Sequence, residues 1–151
     1  MVKLAGGGSY CYADRVQPTR PLAMTDTDKR ALTVLTVEDN VILRTTIVME
    51  FEEFGFQVIE AAFGEEAVQA IEGRSDIDVL FTDVRLPGEI DGWEIARRFR
   101  ELYPDRPIIY ASAYAPGAER RVSDSLFFPK PYRPSQIIRA IERLARGGPD
   151  E

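Results

Sequence analysis

No histidine occurs among the 151 residues, and the one cysteine, Cys11, lies near the start. The first absence removes Ser-His-Asp catalysis, the HExxH zinc motif and any phosphoryl group carried on a histidine of this chain. The second removes an intramolecular disulfide and a thiolate metal site. Chemistry here must run on carboxylates, hydroxyls, Lys and Arg. No apolar run approaches the roughly 18 to 20 residues that span a bilayer, and the start lacks the charged-then-apolar pattern of a signal peptide. The expectation is a cytoplasmic protein that does not enter the membrane. Positive charge is also short, with a formal net charge of -6. Residues 1–30 hold 5 basic and 3 acidic groups, whereas residues 31–147 hold 14 basic and 20 acidic. A domain of that sign is a poor partner for nucleic acid.

The length suits one domain with a tail. Residues 1–30 carry Gly6, Gly7, Gly8, Ser9, Pro18 and Pro21 without sustained periodicity, which predicts a flexible N-terminal extension; Met24 would itself serve as a start. Residues 148–151 form a short tail. Between them, short apolar runs alternate with helical patterns. Thr33 to Val37 reads as a strand, and Val41 to Phe54 as an amphipathic helix with apolar residues at 43, 47, 51 and 54 and Asn40 as its cap. Gln57 to Glu60 is a second strand. Phe63, Ala67, Ala70 and Ile71 share a helical face that Gly73 ends. Asp78 to Thr82 is apolar enough for a central strand. Trp93 to Leu102 follows as a helix, then strands at Pro107 to Ala111 and Leu126 to Phe128, and a last helix from Pro134 to Arg146. Strict alternation predicts an α/β domain over residues 31–147, with a five-stranded parallel sheet and right-handed crossovers.

Polar residues collect where these strands end: Glu38-Asp39, Asp83, Ser112 and Lys130-Pro131. In a doubly wound sheet those ends share one edge, where ligands bind. Singly, Asp83 reads as a turn residue, Glu38-Asp39 as a solvated pair and Ser112 as a hydroxyl bonding backbone. Together, three carboxylates around one point destabilise a fold unless a cation is supplied.

Five stretches stand in order: Val37-Glu38-Asp39-Asn40, Thr82-Asp83-Val84-Arg85-Leu86-Pro87, Asp91-Gly92, Ala111-Ser112-Ala113 and Phe127-Phe128-Pro129-Lys130-Pro131-Tyr132. With them the chain resembles, over residues 31–147, the receiver domain of bacterial two-component response regulators, the CheY-like family. The resemblance implies a flavodoxin-like (βα)5 three-layer sandwich. It makes Asp83 the acceptor of a phosphoryl group from a histidine kinase or histidine phosphotransfer protein. Mg²⁺ would be held by Asp39, Asp83 and the Arg85 carbonyl, with Glu38 acting directly or through water. Lys130 and Ser112 would bind phosphoryl oxygens, Lys130-Pro131 would be cis, and Phe127 would turn inward on switching, against its plain reading as a core aromatic. Arg85 and Tyr114 would tune hydrolysis. The implied protein is a single-domain regulator or detached receiver, monomer or weak dimer, with Mg²⁺-dependent self-phosphorylation from phosphodonors and slow autodephosphorylation rather than classical enzyme turnover. Its downstream protein target is unknown.

Departures from the family pattern are also expected to matter. The loop Pro87 to Gly92 is one residue longer than the common form, Ser112 replaces a Thr, and the segment between Ser112 and Lys130 is short. Ala115 to Ser123 contains Pro116-Gly117 and offers only Ala118 and Val122 as inward residues, which predicts a reduced fourth helix of one or two frayed turns, with order and disorder there as the switch. Arg139, Arg143 and Arg146, with Arg120, Arg121 and Arg133 nearby, read as a solvated face, or as a docking stripe for an acidic partner. Two rival functions remain. One is a phosphorylation-independent receiver-like binding module. The other is an Asp-nucleophile phosphohydrolase, which wants a second Asp where Arg85 stands.

Overall fold

The computed structural model describes residues 30–147. The tail expected at 148–151 lies outside the described residues, as does the N-terminal extension apart from Arg30. Five strands, β1 (Thr33–Val37), β2 (Gln57–Ala61), β3 (Val79–Asp83), β4 (Ile108–Ser112) and β5 (Leu126–Pro129), pair in parallel in the order β2-β1-β3-β4-β5. Four helices connect or follow them: α1 (Val41–Phe54), α2 (Gly64–Gly73), α3 (Gly92–Leu102) and α4 (Pro134–Arg146). The expected parallel five-stranded flavodoxin-like sheet is therefore present.

Alternation along the strands divides the core in two. Leu35, Val37, Leu80, Ile108 and Tyr110 face α2 and α3 through Ala67, Ile71, Ile95, Ala96 and Phe99. Val34, Val79, Phe81, Ile109 and Ala111 face α1 and α4 through Ile47, Val48, Phe51, Ile137, Ala140 and Ile141. The central strands β1, β3 and β4 are buried along their whole length, as strands covered by helices on both faces must be. Burial at that density favours the fold by about 25 cal/mol per Å² of apolar surface removed from water.

Local chemistry fixes the helix starts beside the strand ends. Asn40 caps α1, its side-chain oxygen accepting from the amides of Ile42 and Leu43, each at 3.0 Å. Asp91 caps α3 through the Glu94 amide at 2.9 Å. Gly92 is required by close approach: a Cβ there would lie 2.1 Å from the Asp83 carbonyl oxygen. The first turn of α3 thus rests directly on the end of β3.

The connection from β4 to β5 is reduced, as expected, and its one turn is 3₁₀ rather than α-helical. That turn, Ala118–Arg120, is entered through Gly117 at φ +84°. Ala118, expected to point inward, is exposed, because a lone 3₁₀ turn has no buried helical face; Val122 is half-buried against the α2–α3 side of the core. Aromatic side chains fill the slot instead. Trp93 and Tyr110, at 1% and 0% exposure, meet edge to face with centroids 4.7 Å apart, and Phe127 lies 6.5 Å from Tyr110.

Donors and acceptors from outside this connection hold its backbone. Trp93 Nε1 donates to the Pro116 carbonyl at 2.8 Å, Arg100 Nη1 to the Ser123 carbonyl at 2.7 Å, and the Val122 amide to the Tyr110 hydroxyl at 3.2 Å. Arg120 Nη1 pairs with Asp91 at 2.8 Å.

Candidate functional site

The strand order sets β1 beside β3 and β3 beside β4, so their C-terminal ends lie together at one sheet edge. Glu38 and Asp39 leave β1 there. The Glu38 amide continues the ladder by donating to the Ala61 carbonyl at 3.0 Å, and Asn40 then starts α1. Asp83 ends β3 opposite Ala111, and Ser112 is the next residue on β4. Lys130 follows β5; its amide donates to the Ser112 carbonyl at 3.1 Å, and its bond to Pro131 is cis. Pro131 thus has the isomer implied by the resemblance.

Glu38, Asp39 and Asp83 each place a carboxylate oxygen within 4.8 Å of the others'. Lys130 Nζ bridges two of them, at 2.7 Å from Glu38 Oε1 and 2.8 Å from Asp83 Oδ2. Glu38 Oε2 accepts from the Asn40 amide at 3.0 Å. Asp39 is exposed to the cleft, whereas Glu38 and Asp83 are buried. Burial pushes the Glu38 carboxyl above the ordinary carboxylate range, although the Lys130 amine and the Asn40 amide pull the other way. Burial also opposes the charge on Lys130, but donation to Asp83 and Glu38 outweighs it and holds the amine above the usual lysine range. Lys130 is therefore held as an ammonium between the two buried carboxyl groups.

Among the buried carboxylate atoms of the cluster, one is left over. Asp83 Oδ1 is buried and has no hydrogen-bond partner. A buried, unpartnered carboxylate oxygen costs free energy, which a hard cation drawn to oxygen ligands would offset. The donor set of three carboxylates fits a divalent cation of the Mg²⁺ type. A cleft of about 460 Å³ opens over it, lined by Asp39, Asp83, Arg85, Ser112, Tyr114 and Lys130 among others.

The remaining expected residues stand around this cluster. The Ser112 hydroxyl donates to the Tyr114 carbonyl at 2.9 Å, and so is committed to its own loop. The Arg85 guanidinium lies 5.6 Å from the Tyr114 ring centroid at the mouth of the cleft. Phe127 is half-buried against the core beside Tyr110. Tyr132, behind Pro131, packs edge to face on Phe81, and burial pushes its hydroxyl up to about 12. A second, mainly apolar groove of about 340 Å³ runs from Lys130, Pro131 and Tyr132 to Leu43, Thr46 and Ile47 of α1. The arginines of the C-terminal stripe lie away from the cleft: Arg146 pairs with Glu142 at 3.1 Å and Arg139 is exposed.

Sequence reasoning passed over Arg44. Its Nη1 donates to the Glu38 carbonyl at 2.7 Å, and its Nε meets Glu60 Oε1 at 3.2 Å. The spacing of α1 offered no sign of this, since position 44 falls simply between the apolar positions. Trp93 and Arg100 were likewise read only as helix residues.

Residues 34–142 match the family model for the response regulator receiver domain. The chain belongs to that family. It is 34% identical over 117 residues to the sensor kinase CckA of Brucella abortus, a match that covers 74% of this chain and 12% of that protein. The response regulator SaeR of Staphylococcus epidermidis is 30% identical over 101 residues, covering 64% of this chain and 43% of SaeR. The chain thus spans less than half the length of these relatives. Among solved structures, a response regulator receiver protein from Sinorhizobium medicae is similar with a TM-score of 0.73 and 33% identity, covering 76% of this chain and 94% of that one. The receiver domain of the sensor histidine kinase PA1611 from Pseudomonas aeruginosa, with a magnesium ion in its active site cleft, has a TM-score of 0.68 and 28% identity, covering 78% and 99%. The chain is a receiver domain of two-component signalling, and its acidic cluster stands in a family with Mg²⁺-bound members.

Proposed function

We propose that Asp83 of this receiver accepts a phosphoryl group from a phosphohistidine on a histidine kinase or phosphotransfer protein, and that the acyl phosphate switches binding to a downstream protein. The observation that carries the reading is the Lys130 amine held between Asp83 and Glu38 beside an unpartnered buried Asp83 oxygen. In the transfer, an Asp83 carboxylate oxygen bonds to phosphorus as the phosphorus–nitrogen bond to imidazole breaks, and the electron pair leaves with the imidazole. Negative charge converges on a carboxylate, so cations and donors must be in place beforehand. Mg²⁺ bound through Asp39, Asp83, the Arg85 carbonyl and Glu38 would supply most of that positive charge.

The chain's own residues do the rest. Lys130, already in the cleft, exchanges its contact with the Asp83 carboxylate for a phosphoryl oxygen. The Ser112 hydroxyl leaves the Tyr114 carbonyl to donate to another, which frees the loop after β4. Phe127, half-buried next to that loop, then takes the space released. Arg85 and Tyr114 at the mouth control water entry and hence the lifetime of the acyl phosphate. The phosphodonor docks along α1, where Val41, Ile42 and Met49 are 60%, 73% and 63% exposed beside the apolar groove that ends at Lys130 and Pro131. The charge balance of the domain and the cation demand of the site suit a cytoplasmic protein supplied with Mg²⁺.

Incubation with acetyl phosphate and Mg²⁺ should give one hydroxylamine-labile phosphoryl adduct by mass, absent from Asp83→Asn. Folded, Mg²⁺-binding protein that takes no adduct from acetyl phosphate or from histidine kinases would instead mark a phosphorylation-independent binding module. Turnover of generic phosphomonoesters would revive a hydrolase, for which Arg85 supplies no acid.

A further inference from the structure

Asp39 is exposed, and among the described residues no hydrogen bond or ion pair holds its side chain. Its carboxylate direction therefore depends on the backbone beneath it. That backbone is fixed at both ends of Glu38. The Glu38 amide is anchored to the Ala61 carbonyl at 3.0 Å, and the Glu38 carbonyl, which belongs to the Glu38–Asp39 peptide, accepts from Arg44 Nη1 at 2.7 Å. Arg44 is itself held: its Nε meets Glu60 Oε1 at 3.2 Å, and its side chain is only 17% exposed. Glu60 lies on β2 opposite Thr36 of β1. One planar guanidinium thus links α1, the end of β1 and the end of β2.

We infer that Arg44 is a positioning residue for the cation site: its fork, braced on Glu60, sets the plane of the Glu38–Asp39 peptide so that both carboxylates face Asp83. The assignment rests on the metal site proposed above. Arg44 suits this role better than lysine would, because a rigid fork can serve two acceptors in fixed directions at once. Its charge alone makes the opposite prediction. A nearby cation repels Mg²⁺, so on electrostatics its removal would tighten metal binding; on positioning, removal loosens it. The sign of the effect separates the two.

Mg²⁺ titration by calorimetry on the metal-free chain, with Arg44→Gln and Arg44→Lys beside the wild type, tests the assignment. Partners that orient metal ligands typically contribute at least about tenfold to affinity, so Arg44→Gln should weaken Mg²⁺ binding by about that factor. Arg44→Lys keeps the charge and can reach only one acceptor, so it should fall between the two. Thermal unfolding without metal shows whether each variant is folded at the titration temperature. Unchanged or tighter binding by folded Arg44→Gln overturns the inference. Should that variant not fold, Arg44→Lys carries the test, and wild-type affinity in it overturns the inference equally. Failure of the wild type to bind Mg²⁺ overturns the metal site itself, whereas equal binding by all three keeps the site and removes Arg44 from it.

Discussion

The two sides of Asp83 are held together by different physics. Where the residues that follow β1 and β5 reach Asp83, charged side chains meet one another directly: Lys130, Glu38 and Asp83 contact at 2.7 and 2.8 Å in a mostly buried cluster. Toward β4, the connection between Ser112 and Leu126 buries little of itself and is held by groups from other elements, Trp93 and Arg100 of α3 and Tyr110 of β4. Breaking the cluster leaves a buried charge uncompensated. Breaking the connection exchanges hydrogen bonds for water. The first should be costly and specific to metal; the second should be cheap and local.

The largest effect is expected at Lys130. Lys130→Met strands two buried carboxylates and should cost about 3 kcal/mol of stability without divalent metal, the low end for breaking a buried pair. Urea unfolding with and without Mg²⁺ measures this, and the deficit should shrink at saturating Mg²⁺; a metal-independent loss would show that packing, not charge, holds this side. Trp93→Phe removes the donor to Pro116 and part of the ring that fills the missing-helix slot. It should cost about 2 kcal/mol, with faster amide exchange over residues 113–125 and unchanged Mg²⁺ affinity. A change in Mg²⁺ affinity would mean that the two sides are not separable.

Glu94 supplies a control between them, on the outer face of α3. Hydrogen bonds from Arg97 and Arg98 pull its carboxyl down to about 2 from an ordinary 4.5. A carboxyl lowered in the folded state stabilises above its unfolded value and loses that contribution as pH falls through its folded value. Glu94→Gln should therefore cost about 1 kcal/mol near neutral pH after discounting for solvent screening. The gap from wild type should close between about pH 4.5 and pH 2, read as thermal midpoints across that range. The smallest effect belongs to Arg120→Ala. Its pair with Asp91 has side chains 47% and 34% exposed. About 0.5 kcal/mol is expected, diminishing with salt in denaturation curves.

This division also explains what could be read from the sequence. The cluster was legible because each member ends a strand, and strand ends in a parallel sheet share an edge whatever the details of packing. Lys130 carries an extra signal, being the only lysine after Lys29. The weakness of the fourth connection was legible too, from Pro116-Gly117. What replaces the helix was not. Trp93, Asp91 and Arg100 belong to another element, and their engagement with residues 116–123 exists only once α3 packs beside β4. The inward assignment of Ala118 applied helical spacing to a segment that does not keep it. Arg44 escaped for a similar reason: its acceptors, Glu38 and Glu60, lie on two strands.

Helix α3 has a mechanical consequence. Its 11 residues make a rod about 16 Å long. Gly92 at one end touches the main chain of Asp83, and Arg100 near the other grips the carbonyl of Ser123. Attached at both ends, the rod cannot pivot about one without moving the other. A tilt that begins at the end of β3 arrives, through one rigid element and the single side chain of Arg100, as a sideways pull on the connection between β4 and β5.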